Sequence, residues 1–181
     1  MSSGSTALLD RLRVAPPDPV LAPYRRVAFG DGWDYDRASG CNTRDHVLII
    51  ESVTPVVLGP RCKVLAGRWV SRYDGVTVTD PARLQVDHFI PLANAWSSGA
   101  ASWTAARREQ FANDLTDPAT LVAVTGSTNE SKGEAGPDHW LPPRTADRCQ
   151  YAADWVEVKG RWDLSVTPTE RAALERLLAS C

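Results

Sequence analysis

Four cysteines, at positions 41, 62, 149 and 181, constrain this chain more than any other feature of its sequence. Their number is even, their spacing is wide and no CxxC pair occurs, which argues against a zinc site whose thiolates come in close pairs. Two disulfides are the expectation. Three connectivities are open; neighbour pairing, Cys41 with Cys62 and Cys149 with Cys181, would close one loop in the N-terminal third and one in the C-terminal third. Four buried free thiols are the alternative, and the terminal position of Cys181 argues against it. Disulfides imply export, because the cytosol keeps thiols reduced. The opening MSSGSTALLDRL lacks a basic start, an apolar core and a small-residue cleavage site. The expectation is therefore an extracellular or cell-envelope protein whose signal peptide is absent from this chain.

At 181 residues the chain is long enough to bury a core as one domain. No apolar run approaches the length needed to cross a bilayer, and the chain is nearly balanced in charge, at a formal net charge of -2. No bulk positive field recruits nucleic acid, so any contact with a polyanion must be local. Arg far outnumbers Lys, and its planar fork suits phosphate; a GC-rich coding bias explains the imbalance equally well.

The pattern along the chain is α+β. A short helix over TALLDRLRV leads into VAPPDPVLAPY (Val14 to Tyr24), a proline-rich surface arm. NTRDHVLIIESV fits helix or strand by periodicity, and its opening Asn and Thr favour a capped helix. CKVLAGRWVSRYDGVTVTD reads as a hairpin turning at Asp74-Gly75. RLQVDHFIPL reads as a strand ending near Asp87, with Pro91 opening a helix. WTAARREQFANDL is a helix with Trp103, Ala106 and Phe111 on its apolar side, LVAVT a strand, and GSTNESKGEAGPDHW a polar, turn-rich stretch. Two helices close the chain, the last opened by the Thr167-Pro168-Thr169-Glu170 cap.

HExxH, GxSxG, P-loop and dinucleotide fingerprints are absent. With only three histidines (His46, His88 and His139) any metal site must rely on oxygen ligands, which suits Mg²⁺. VDHFIPL (Val86 to Leu92), FANDL (Phe111 to Leu115) and LVAVTGSTNESKG (Leu121 to Gly133) follow one another in that order. In this order they resemble the HNH, or His-Me finger, endonucleases. Together with CNTRDHVL, CKVLAGRW and CQYAADWVEVKGRW, they resemble the exported HNH family described by DUF1524 or the GmrSD carboxy-terminal domain, over residues 41–181.

The resemblance implies a ββα-metal core padded by a hairpin and C-terminal helices over residues 41–181; residues 1–40, read from their own pattern, are expected to form a helix and a proline-rich arm packed on that domain. It implies a metal-dependent endonuclease using Mg²⁺ or Mn²⁺, acting on DNA or RNA and leaving 5′-phosphate and 3′-hydroxyl ends. Asp87 and Asn129 would be metal ligands and His88 the general base. Asn113 is the nearest candidate for the middle Asn, although TDPAT separates it from the following strand. Arg44 and Lys132 would contact phosphates, and Arg107 and Arg108 would track the backbone.

Physical chemistry agrees with these roles. A divalent ion offsets the charge that develops as a phosphodiester is attacked, and a neutral imidazole can take a proton from water near pH 7 to 8. Neighbours on a strand face opposite ways, so a kink or bulge should bring Asp87 and His88 to one substrate. Each residue also has a plainer role. Asp87 could start a helix, His88 sit satisfied in the core, Asn129 cap a helix, and the four basic residues be solvated. Trp96, Trp103 and Trp140 are expected to pack rather than stack on bases, and His46 and His139 carry no assigned role. Low sequence specificity and a monomeric state are expected. A non-catalytic exported binding domain on the same finger is the alternative, and hydrolysis of another phosphodiester a third reading.

Overall fold

The computed structural model describes residues 2–18 and 21–181, with the side chains of Ser2 and Ser3 left out. Part of the proline-rich arm, Pro19 and Val20, lies outside the described residues. Helix α1 (Ser2–Leu9) opens the chain, followed by a 3-10 turn at Arg26–Phe29 and α2 (Thr43–Glu51). The Asn42 side chain accepts from Asp45 N, so the cap decides the helix that periodicity left open.

Two small sheets come next. Strands β1 (Val57–Leu58) and β2 (Val64–Ala66) pair antiparallel, as do β3 (Trp69–Val70) and β4 (Thr77–Val78). The expected hairpin over CKVLAGRWVSRYDGVTVTD is thus only its second half. Its first half folds back on residues 57–58, leaving the Asp74-Gly75 turn, with Gly75 at φ +70°, between β3 and β4.

The third sheet is the centre of the molecule. Strand β5 (Leu84–His88) continues through Pro91 into α3 (Leu92–Ser97); α4 (Ala105–Ala112), β6 (Leu121–Thr125) and α5 (Gly126–Lys132) follow. β5 and β6 pair antiparallel in unbroken register from Leu84↔Thr125 to His88↔Leu121. The stretch read as turn-rich therefore begins with a helix, and α5 packs against both strands. On α4, Phe111 is buried but Ala106 is exposed, and Trp103 precedes the helix, which narrows the expected apolar side to its C-terminal end.

Because residues alternate across a strand, the hairpin has two faces. Val86, Ala123 and Leu121 join α2 and Trp69 in one buried cluster, while Val122 and Val124 join the larger cluster built on Trp155, Leu9, Phe29 and the C-terminal helices. The outer edge of β6 is closed by side chains: Ala123 N donates to Glu51 Oε2 (2.8 Å) and Thr125 N to Ser71 Oγ (3.1 Å). An edge occupied in this way cannot template another strand.

Helices α6 (Arg148–Arg161) and α7 (Pro168–Ala179) finish the fold, α7 with the expected capping box between Thr167 and Glu170. Buried Lys159 bonds Glu170 (2.7 Å), Ser98 Oγ (3.0 Å) and the Ser165 carbonyl (2.8 Å), joining both helices to the segment after α3. The cysteines pair as neighbours, Cys41–Cys62 and Cys149–Cys181, across separations of 21 and 32 residues. Loops of these sizes restrict the unfolded chain by roughly 3–4 kcal/mol each.

Candidate active site

Asp87 and Gln85 share the face of β5 that meets α5. Asn129 and Lys132, three apart on α5, form the facing row. Lys132 Nζ donates to Asp87 Oδ2 at 2.6 Å and to the His88 carbonyl at 3.3 Å, and Tyr73 Oη donates to the same Asp87 oxygen at 2.7 Å. Lys132 and Tyr73 are almost wholly buried. Burial pushes the Lys132 ammonium down from its usual range while Asp87 pulls it back up, and burial with the Asp87 charge pushes the Tyr73 phenol well up. Asn129 Nδ2 donates to Gln85 Oε1 (2.7 Å), placing Asn129 one step along the strand from Asp87.

His88 ends β5 on the opposite face. The strand carries no bulge, so the two neighbours stay on opposite sides of the hairpin, against the kink expected from sequence. His88 Nε2 lies 2.9 Å from the Ala112 carbonyl at the C-terminus of α4, and the Trp33 ring stacks on the imidazole at 5.2 Å with planes 15° apart. Burial first, then the charges of Arg26 and Lys132, holds the imidazole down at about 4 against the bond to Ala112. It is therefore neutral at pH 7, and because a carbonyl only accepts, Nε2 carries the proton and Nδ1 keeps its lone pair.

Asn113 fixes that carbonyl. Its Oδ1 accepts from Asp34 N (2.9 Å) and Thr43 Oγ1 (2.7 Å), and its Nδ2 donates to the Gly32 (3.3 Å) and Glu109 (3.2 Å) carbonyls. It thus braces the end of α4 beside Ala112 despite the intervening TDPAT. Asn113→Ala should lose about 2–3 kcal/mol of stability in urea unfolding, through backbone groups left unpaired. If cleavage depends on His88, the same variant should slow it by about 10²-fold through the displaced imidazole.

The arginines expected on substrate are engaged with protein. Arg44 donates to the Pro81 (3.0 Å) and Leu84 (3.3 Å) carbonyls, bracing the entry to β5. Arg107 donates to the Trp162 carbonyl (3.2 Å) and lies over Trp103 at 4.6 Å. Arg108 holds the Ala28 carbonyl (2.7 Å). Lys132, expected at a phosphate, is under the strand. Tyr73 and Trp33 carry no motif signal in the sequence: Tyr73 falls inside the expected hairpin, and Trp33 lies between the proline-rich arm and the helix expected from Asn42.

Among the described residues no cluster of three or more His, Cys, Asp or Glu could form a protein cage for a metal. Asp87 Oδ1 and Asn129 Oδ1 accept no protein hydrogen bond among those residues, so each leaves one hard oxygen available. This donor set fits a water-rich divalent ion such as Mg²⁺ and not a softer metal.

The His88 shift also sets a pH dependence. The unfolded chain, near 6.5, binds more protons than the folded one, near 4, throughout that interval. The contribution is complete above pH 6.5 and lost as pH falls toward 4, about 3 kcal/mol in all. Urea midpoints from pH 7 to 4.5 should fall less steeply in His88→Gln than in the parent; equal slopes would contradict this.

Two disulfides thus link an α+β fold in which a carbonyl-bound histidine and a buried Asp-Lys-Tyr cluster occupy opposite faces of one hairpin. The chain belongs to the family of GmrSD restriction endonuclease C-terminal domains, whose family model matches residues 56–177. It is also 42% identical over 188 residues to an uncharacterized secreted protein of Arthroderma benhamiae, an alignment covering 99% of this chain and 86% of that protein. No solved structure matches.

Proposed function

We propose that the protein is an exported, metal-dependent endonuclease that hydrolyses phosphodiester bonds of DNA with low sequence specificity, with His88 as general base. The observation that carries this reading is the fixed tautomer of His88: Nε2 is held 2.9 Å from the Ala112 carbonyl, and Asn113 braces the segment on either side. The family and the two disulfides support it, as does the relative's description as secreted. No helix among the described residues is long and apolar enough to cross a membrane.

In this mechanism His88 Nδ1 takes the proton from the attacking water. Burial that keeps the imidazole neutral also weakens it as a base, and an incoming phosphate anion beside it would restore basicity. Asp87 and Asn129 would hold the divalent ion, Mg²⁺ or Mn²⁺, which when bound stabilises negative charge developing on the phosphate. Lys132 and Tyr73 fix Asp87 through Oδ2 and leave Oδ1 for that role. Asn129→Ala should shift cleavage to higher metal concentration, by about 10-fold or more. A metal titration identical to the parent's would make Asn129 only a partner of Gln85.

A second reading is favoured by one observation: Lys132 already neutralises Asp87, and Asp87 and His88 lie on opposite faces of the hairpin. On that reading the finger is a non-catalytic exported binding domain. The two are separated by incubating the protein with DNA, RNA and short nucleotides under Mg²⁺ or Mn²⁺. Turnover of nucleic acid supports the nuclease, and capture without turnover the binding domain.

A further inference from the structure

The segment before the family match packs against His88 and Asn113. Residues 28–34 are fixed there at several points: Arg108 Nε donates to the Ala28 carbonyl (2.7 Å), Phe29 packs on Phe111 (6.2 Å), and Asn113 bonds both Gly32 and Asp34. Trp33 lies between those two Asn113 contacts, and its indole stacks on His88 at 5.2 Å and 15°. The same Asn113 therefore braces two supports of one imidazole, the Ala112 carbonyl at its Nε2 edge and the Trp33 ring on its face. Trp33 also packs against the buried cluster of Trp69 and Val86, so its ring is held in turn.

We propose that Trp33 is a positioning residue for His88, its indole plane setting the plane of the imidazole so that Nδ1 faces the reacting phosphate. The proposal rests on the reading of His88 as general base. An imidazole held at one nitrogen alone can still pivot about that hydrogen bond. A parallel ring against its face removes the pivot, and an offset stack is a favoured arrangement for two flat rings. Pre-orientation of a proton acceptor acts on the chemical step, because it leaves substrate capture unchanged and alters the fraction of bound complexes that are ready to react. Residues 28–34 thus complete a site that residues 56–177 do not complete by themselves.

The test uses the full chain carrying Trp33→Ala, Trp33→Leu or Trp33→Phe, with two readouts. In cleavage kinetics, Trp33→Ala and Trp33→Leu should lower kcat at least tenfold with KM within twofold, while Trp33→Phe keeps most of kcat. In diethyl pyrocarbonate labelling followed by mass spectrometry, His88 should react at least fivefold faster in Trp33→Ala, with His46 and His139 unchanged as internal controls of the fold. Trp33→Leu keeps the apolar volume without the flat ring, so it serves if the alanine variant does not fold. Parent-like kcat in the leucine variant, a change confined to KM, or unaltered His88 labelling in Trp33→Ala would overturn the proposal. Absence of cleavage in the parent together with unmasking of His88 would instead overturn the nuclease reading and leave Trp33 as the cover of His88.

Discussion

Replacing His88 by alanine is expected to slow phosphodiester cleavage by about 10²- to 10⁴-fold, the range associated with a positioned general base. The thermal midpoint should move by no more than about 8 °C, since a buried side chain of this kind contributes on the order of 1–2 kcal/mol in a chain of this length. The two halves belong together. His88 is enclosed by Trp33, the Ala112 carbonyl and the end of the β5–β6 hairpin; the strand pairing does not use the imidazole, so the loss of stability is confined to the stacked ring and the Ala112 bond. Cleavage is followed on plasmid with both proteins purified in parallel, and the midpoint by differential scanning calorimetry. Metal-dependent cutting retained in His88→Ala would remove His88 from the chemistry.

The second large effect concerns stability. Lys132→Met should lower unfolding free energy by about 3–5 kcal/mol and the midpoint by about 10 °C, because it leaves the Asp87 carboxylate buried without its cation. The ammonium sits 2.6 Å from Asp87 Oδ2 and has almost no contact with water. The double variant Asp87→Asn with Lys132→Met should recover most of the loss, since an amide does not need a counter-charge. Both are measured in EDTA so that metal binding does not enter. An unchanged midpoint in Lys132→Met would mean that the pair holds nothing together.

How far these residues could be read in advance depended on whether their role is local. Thr167-Pro168-Thr169-Glu170 satisfies its own helix terminus and was legible, as were Asn42 and the short apolar LVAVT. That a strand at β5 pairs with a second at β6 and is followed by a helix was implied by the family resemblance alone, because α5 is built mostly from Gly, Ser, Thr and Asn, weak helix formers held by packing on the hairpin. Lys132 in the polar run TNESKGE reads as solvated. Its burial comes from Asp87 and Tyr73, 45 and 59 residues earlier in the chain, and no local pattern encodes that. The arginines show the converse: Arg44, Arg107 and Arg108 looked available for phosphate, yet each closes a backbone carbonyl left open at a strand entry, a helix end or a loop. Trp33 reaches His88 only because Asn113 gathers both segments. The neighbour pairing of cysteines was one of three arrangements, and the fold selects it by placing Cys41 beside the β1–β2 turn and Cys181 beside the start of α6.

The most direct measurement is conversion of supercoiled plasmid by the purified parent protein in Mg²⁺, in Mn²⁺ and in EDTA. Nicked and linear products that form with either metal and vanish in EDTA are the expected result. Plasmid left intact in every metal, while the protein remains folded, would contradict a DNA endonuclease.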